Sequence, residues 1–114
     1  MLVPIADLKT SIEVFHDEVE IYPIWLCPFS LAANPGMLKP PSGKAEMFVD
    51  VGVYGVPKKP DYETVKSTKK VEAFVRSVSG FQMMYADSYM TRYSLNSSFK
   101  LKQNILVLDL VFEY

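Results

Sequence analysis

Cysteine and histidine are scarce in this chain of 114 residues, which contains one of each, Cys27 and His16. A single cysteine excludes an internal disulfide, and these two side chains alone are too few to predict a structural zinc site. Acidic and basic residues nearly cancel, which leaves a formal net charge of −1. Because proteins that bind phosphate backbones need a basic surface, we expect no nucleic-acid partner.

Long apolar runs and the familiar catalytic motifs are also missing. No segment approaches the roughly 20 apolar residues of a membrane-spanning helix. Pro4 and Asp7 interrupt the first apolar stretch, so a signal peptide is not predicted. The sequence has no glycine-rich dinucleotide motif, P-loop, metal motif or nucleophile elbow. Residue types alone therefore leave the chemistry of the chain open.

The densest group of unusual residues is segment 22–29, which holds the only tryptophan, the only cysteine and two prolines. Its apolar side chains run almost unbroken, a pattern typical of a strand that is covered on both faces. Since proline lacks the N–H that a strand ladder uses, Pro23 and Pro28 are expected near the strand ends or at a bulge. We expect Trp25 and Cys27 to lie in the core.

Hydrophobic spacing predicts an α+β fold of ferredoxin-like type, in which two helices cover one face of an antiparallel sheet. The predicted elements are a strand at residues 1–3, a helix at 5–17, strands at 20–29 and 45–54, a helix at 61–78 and a strand at 81–86. The connection at residues 30–44 contains two turn signals. It is either a lid or binding loop or an exposed connection.

The clearest alternation lies in the strand at residues 45–54, where Val49 and Val51 belong to the aliphatic face that should meet the helices. Gly52 removes a side chain from the other, mixed face, which leaves room for a neighbouring backbone or a ligand. In the second helix the buried stripe includes Val71 and Val75. Gly80 is expected at the C′ position that ends this helix.

A group of polar and aromatic residues follows the last predicted strand. If that strand continues, the period of two places Tyr85, Asp87 and Tyr89 on one side, close to Gln82 and Arg92. A tyrosine beside a carboxylate or an arginine can donate a proton or bind a ligand hydroxyl. The residues support equally well an edge strand with amphipathic aromatic side chains, so both interpretations stay open.

Three segments resemble the Δ24-sterol reductase family, the seladin/diminuto group of FAD-dependent oxidoreductases. They read YPIWLCPF at residues 22–29, DVGVYG at 50–55 and FVRSVSGFQMMYADSYM at 74–90. The resemblance covers residues 1–92 in order and with family-like spacing. It implies part of a C-terminal substrate domain, similar to that of vanillyl-alcohol-oxidase-type flavoenzymes. Residues 93–114 are a divergent tail, so we expect the chain to be a C-terminal fragment.

The resemblance also implies a reaction, the reduction of the sterol side-chain C24=C25 bond by NADPH through FAD at the endoplasmic reticulum membrane. FAD is expected to bind mainly to an N-terminal domain, so the fragment alone is expected to be inactive. Reducing an isolated alkene requires an acid, a dry apolar slot and a positioned flavin. On this resemblance Tyr85 and Tyr89 are candidate acids or orienting groups. The candidate sterol-binding residues are Trp25, Tyr54, Gln82 and Asp87.

Two other functions are compatible with the sequence. One is a non-catalytic, truncated α+β domain that binds a hydrophobic ligand or a partner protein. The other is an unrelated ferredoxin-like structural domain, which the three family-like segments disfavour. Membrane association is implied by the family only, and the residues indicate neither an oligomeric state nor a metal.

Overall fold

The computed structural model describes residues 1–33, 40–83, 85–91 and 93–94. Its elements are β1 (Leu2–Pro4), a 3₁₀ turn (Ile5–Asp7), α1 (Leu8–Glu18), β2 (Ile24–Leu31), β3 (Glu46–Val53) and α2 (Thr64–Ser77). The predicted α+β class is confirmed, although both helices begin a few residues later than predicted. The division between a domain at residues 1–92 and a divergent tail stays a prediction, because most of the tail lies outside the described residues.

The central strand of the sheet is β3, which lies between β1 and β2 and is antiparallel to both. The strand order β1-β3-β2 is the one that a split βαβ arrangement produces, because the strand following α1 is not adjacent to the strand preceding it. β2 pairs with β3 along its whole length, from Ile24 to Leu31. The predicted antiparallel sheet is therefore confirmed for its first three strands.

The strand predicted at residues 81–86 is wrong for the part of this segment that the structure describes. Only Phe81 pairs with the sheet, by exchanging backbone hydrogen bonds of 2.8 and 2.9 Å with Leu2 of β1. After Phe81 the chain leaves the sheet, and the side-chain amide of Gln82 donates a hydrogen bond of 2.9 Å to the carbonyl of Asp87. This bond closes the segment into a loop, which cannot continue an extended strand.

Both helices pack against the same face of the sheet. Val49 and Val51 of β3 are buried there with Phe15 of α1 and with Val71 and Val75 of α2. These contacts confirm the aliphatic face of β3 and the buried stripe of α2. Since each buried side chain of this size contributes roughly 1.5–3 kcal/mol, this cluster is the main source of stability in the described residues.

The opposite face of the sheet has a smaller core, which the sequence did not predict. Phe48 is 1% exposed and packs with Leu2, Leu31 and Phe81. The ring centroids of Phe48 and Phe81 are 6.0 Å apart, within the range of favourable aromatic pairs. β2 continues past its predicted end because Leu31 gains burial in this cluster.

Among the described strands β2 lies at the edge of the sheet, and the prediction that it is covered on both faces is wrong, because most of its side chains are exposed. Trp25 is 58% exposed and Cys27 is exposed, which corrects the core positions predicted for both side chains. The physical reason is that the buried helix-face core is built over β1 and β3, whereas in the described part of the chain β2 pairs with β3 alone. An edge strand also tolerates Pro28, and Pro23 directly precedes the strand as predicted.

Gly80 has a different role from the one predicted. Ser79 adopts the left-handed conformation at the end of α2, with φ of 58°, whereas Gly80 does not. A Cβ atom at Gly80 would overlap the carbonyl oxygen of Leu2 and would lie 3.0 Å from the carbonyl oxygen of Val75. The absence of a side chain at Gly80 therefore allows the chain to approach β1 and form the Phe81 bridge.

We expect Gly80→Ala to lower the free energy of unfolding by roughly 1–3 kcal/mol, because the added methyl group meets backbone atoms that cannot rotate away. Urea unfolding followed by circular dichroism measures this loss. Gly43→Ala is the control, since a Cβ atom there meets nothing within 4 Å but the residue has φ of 72°. In Gly43→Ala the free energy of unfolding therefore falls only by the cost of a left-handed alanine, about 1–2 kcal/mol. Unchanged stability of Gly80→Ala would contradict the close approach.

Candidate functional site

A cavity of about 300 Å³ lies at the end of the sheet where β3 stops. Apolar side chains from the sheet and both helices form much of its wall, among them Phe15, Val19, Val51, Val53 and Val71. The loop after Phe81 supplies further wall residues, including polar ones. The volume is at the low end of the roughly 300–1,000 Å³ that small-molecule sites occupy.

Four of the six residues predicted to form a site line this cavity, namely Tyr54, Gln82, Tyr85 and Asp87. Trp25 and Tyr89 are not among its lining residues. The predicted strand face shared by Tyr85, Asp87 and Tyr89 is not formed, since these residues lie in a loop. Arg92 lies outside the described residues. The site is therefore assembled by loop closure, and not by the period of a strand.

Gly52 leaves the space in which the ring of Tyr54 lies. A Cβ atom at Gly52 would be 3.3 Å from Cε2 of Tyr54, 3.6 Å from its hydroxyl oxygen and 3.7 Å from Cβ of Trp25. Gly52 is also the cross-strand partner of Trp25. The ring of Tyr54, which lines the cavity, thus fills the space predicted at Gly52, and Cβ of Trp25 on β2 borders the same space.

Tyr54 and Tyr85 both line the cavity and are largely exposed to water. The pKa of Tyr85 is raised above its ordinary value, first by a side-chain hydrogen bond with Tyr54 and then by the negative charge of Asp50. Both effects disfavour the phenolate. Asp50 itself lies 3.2 Å from the amino group of Met1. A hydrogen bond that raises the pKa is one that the neutral Tyr85 hydroxyl donates, so its oxygen is the atom left to accept a hydrogen bond from a ligand.

The cavity mouth is open to water in the described part of the chain. Tyr54 is 72% exposed and Tyr85 is 70% exposed. The dry slot expected for alkene reduction is thus not formed around these two hydroxyl groups by the described residues.

Two buried side chains hold the loop that carries Tyr85. Gln82, which is 5% exposed, makes the hydrogen bond to the Asp87 carbonyl described above. Glu72 of α2 is 2% exposed, and its Oε1 accepts a hydrogen bond of 2.9 Å from the backbone N–H of Tyr89 and one of 3.2 Å from the hydroxyl of Ser88. The main chain of Tyr89 is therefore tied to α2.

Sequence reasoning missed Glu72. The available signal was its position, since Glu72 lies next to Val71 and three residues before Val75, beside the apolar stripe of α2. A carboxylate on a buried helix face is rare unless it has hydrogen-bond partners. Its partners, however, are one backbone N–H and one serine, which no charge pattern identifies.

The cavity does not fit a whole FAD. Its lining residues include no lysine or arginine within the described segments. A flavin pyrophosphate is usually bound by the N–H groups of a helix N-terminus or by cationic side chains. The described residues also contain no group of three or more His, Cys, Asp or Glu that could hold a metal ion. No helix among them is long and apolar enough to cross a membrane.

Sequence comparison finds relatives that share one name. The chain is 55% identical over 92 residues to a Delta(24)-sterol reductase homolog of Caenorhabditis elegans, and 46% identical over 92 residues to the Delta(24)-sterol reductase of Homo sapiens. Each match covers 81% of this chain and 18% of the relative. The Delta(24)-sterol reductase of Arabidopsis thaliana is 32% identical over 111 residues, which cover 82% of this chain and 20% of the relative.

The chain therefore spans about a fifth of the length of these curated relatives. No protein-family model matches the chain. No solved structure matches it either, so the likeness to vanillyl-alcohol-oxidase-type domains stays a prediction.

Proposed function

Since this chain belongs to the Δ24-sterol reductase family, we propose that its described residues form part of the sterol-binding pocket of such a reductase. The observation that carries this proposal is the cavity at the end of the sheet, in which apolar walls meet Tyr54, Gln82, Tyr85 and Asp87. A volume of about 300 Å³ suits the flexible side chain of a sterol better than the whole molecule. The side chain carries the C24=C25 bond that the family reaction reduces.

The role that we propose for Tyr85 follows from its raised pKa. A raised pKa keeps the hydroxyl protonated, which both an acid and an orienting group require. It also makes Tyr85 a weaker acid, and an isolated alkene is difficult to protonate. We therefore assign Tyr85 the orienting role, as a residue of the cavity wall that contacts the sterol side chain without donating its proton. Tyr89 stays a candidate only, because it does not line the cavity.

FAD and NADPH are part of this proposal through the family alone. Alkene reduction adds a hydride and a proton across the double bond, and the described residues offer a hydroxyl group but no hydride donor. Because the cavity wall lacks cationic side chains in the described segments, we propose that the flavin phosphates bind elsewhere. Attachment to the endoplasmic reticulum membrane rests on the resemblance in the same way.

A second candidate function is a non-catalytic domain that binds a hydrophobic ligand or a partner protein. One observation favours it. Trp25, Tyr54 and Tyr85 are exposed at the open face and end of the sheet, instead of being enclosed as a reaction that excludes water requires. The first candidate requires that the cavity bind a sterol, whereas the second candidate does not require this.

Sterol binding by the chain tests the proposal. We expect a sterol with the C24=C25 bond to bind, and Val53→Phe to weaken binding at least about tenfold, because a larger ring in a small cavity excludes the ligand. Val65→Phe is the matched control, since Val65 is exposed on α2 and does not line the cavity. Trp25 fluorescence and a labelled sterol provide the signals. Equal affinity of wild type and Val53→Phe would place the sterol elsewhere and favour the second candidate.

A further inference from the structure

Glu72 is an unusual group to find inside this fold. Burying a carboxylate costs several kcal/mol unless hydrogen bonds compensate for the lost water. Within the described residues Glu72 forms no ion pair, and its Oε1 accepts hydrogen bonds only from Tyr89 N–H and the Ser88 hydroxyl. Both donors belong to the loop beyond Phe81 and not to a helix or strand. The buried acceptor oxygen therefore serves the position of that loop.

The same loop carries a second anchor close to the cavity. The Gln82 side-chain amide donates a hydrogen bond of 2.9 Å to the Asp87 carbonyl, and the Glu72 bonds hold Ser88 and Tyr89 against α2. Tyr85 and Ala86 lie between Gln82 and Ser88 in the sequence, and both line the cavity. No strand pairing holds residues 85–91 in the described structure. The location of the Tyr85 hydroxyl thus depends on a few buried polar contacts.

We propose that Glu72 is the positioning residue of the cavity, and that its carboxyl group holds Tyr85 and Ala86 in the cavity wall by fixing the backbone at Ser88 and Tyr89. The relevance of this placement to a sterol rests on the function proposed above. The placement itself is a property of the chain without a ligand, so it can be measured separately. The competing explanation is that Glu72 only contributes to the stability of α2.

The experiment uses the full 114-residue chain and two substitutions of Glu72. Glu72→Leu removes the acceptor but suits a position beside Val71 and Val75, so α2 keeps an apolar face. Glu72→Gln removes the charge but keeps an amide oxygen that accepts from the Tyr89 N–H. The matched control is Glu13→Leu, which makes the same chemical change on the exposed side of α1.

Two readouts report the position of the loop. The first is the pKa of Tyr85. The phenolate absorbance of each variant is titrated with pH, and the titration of the same variant carrying Tyr85→Phe is subtracted from it. The second is hydrogen exchange at the Tyr89 amide. We expect Glu72→Leu to lower the Tyr85 pKa towards its ordinary value, because Tyr54 and Asp50 no longer face the hydroxyl, and to speed amide exchange at least about tenfold. Glu72→Gln and Glu13→Leu should leave both readouts near wild type.

Several outcomes would overturn the proposal. A folded Glu72→Leu variant with unchanged Tyr85 pKa and unchanged amide exchange would reduce Glu72 to a stabilising residue. If a folded Glu72→Gln variant shows the lower Tyr85 pKa and the faster Tyr89 amide exchange, the hydrogen-bond acceptor at position 72 does not position the loop. If Glu72→Leu fails to fold, Ser88→Ala replaces it in the test, because it removes the Ser88 hydrogen bond to Glu72. No change in the Tyr85 pKa or in the Tyr89 amide exchange of Ser88→Ala would contradict the proposal. Failure of the wild-type chain to bind sterol would reject the proposed function and leave this inference intact.

Discussion

Phe48→Ala is expected to destabilise the chain by roughly 3–5 kcal/mol, the usual cost of removing a buried aromatic ring. Phe48 is almost completely buried and packs against Leu2, Leu31 and Phe81, which come from β1, β2 and the start of the Tyr85 loop. The truncation leaves a cavity among three separate parts of the chain. The loss is large compared with the total stability of a small domain, about 5–15 kcal/mol.

Denaturant unfolding, followed by far-ultraviolet circular dichroism, measures the expected loss. Val56→Ala is the control, because Val56 is among the most exposed apolar side chains and its truncation should change stability by less than about 0.5 kcal/mol. Equal midpoints for the two variants would show that the cluster around Phe48 does not contribute to stability. The main core on the helix face would then be the only essential one.

The contrast between Phe48 and Val49 shows what the sequence can and cannot predict about this fold. Alternation identified Val49 as a core residue, because a strand with an aliphatic face must bury it against something. The same alternation placed Phe48 on a mixed face, and the pattern contains no information on what covers that face. Leu31 and Phe81 cover it, and both arrive from segments distant in sequence. Burial of Phe48 is therefore a tertiary property.

The opposite error at Trp25 has the same origin. An apolar run predicts a strand with two covered faces, but an edge strand can have the same composition. Whether Trp25 is buried depends on where β2 lies in the strand order. In the order β1-β3-β2 of the strands that the structure describes, β2 lies at the edge, and Trp25 is exposed. The identity of the strand was predictable, whereas its place in the sheet had to come from packing.

The site was predicted in part, and for a partly wrong reason. Tyr85, Asp87 and Gln82 all line the cavity, a grouping that was predicted from the period of two along a strand. They do so because Gln82 closes a loop and Glu72 anchors it, and not because they share a strand face. Bonds between a side chain and a distant backbone group have no residue-type signature, which is why Glu72 was missed.

Tyr85→Phe, made in a complete reductase that contains this segment, is expected to reduce kcat/KM on the order of 10²-fold. The phenyl ring is kept, so the loss isolates the contribution of the Tyr85 hydroxyl, which lies on the exposed side of the cavity. Misplacing a reacting group by about 1 Å can cost this much. Steady-state kinetics with a C24=C25 sterol measure the change. Val65→Phe, at an exposed position of α2, should keep the wild-type rate.

The division between kcat and KM assigns the role of Tyr85. A higher KM together with a lower kcat indicates lost orientation, whereas a loss confined to kcat indicates an interaction made only in the transition state, as proton donation would be. An unchanged rate would remove Tyr85 from the site.

The pH dependence of stability tests the contact between Tyr85 and Tyr54. The pKa of Tyr85 is raised in the folded chain, so its contribution to stability is fully present below the unfolded pKa of about 10 and is lost as the pH rises through the folded pKa. Phenylalanine cannot ionise, so Tyr85→Phe should lose this alkaline dependence. A variant with normal alkaline behaviour and impaired catalysis would separate the role of the hydroxyl from its hydrogen bond to Tyr54. Orientation by the Tyr54 contact requires both to change together.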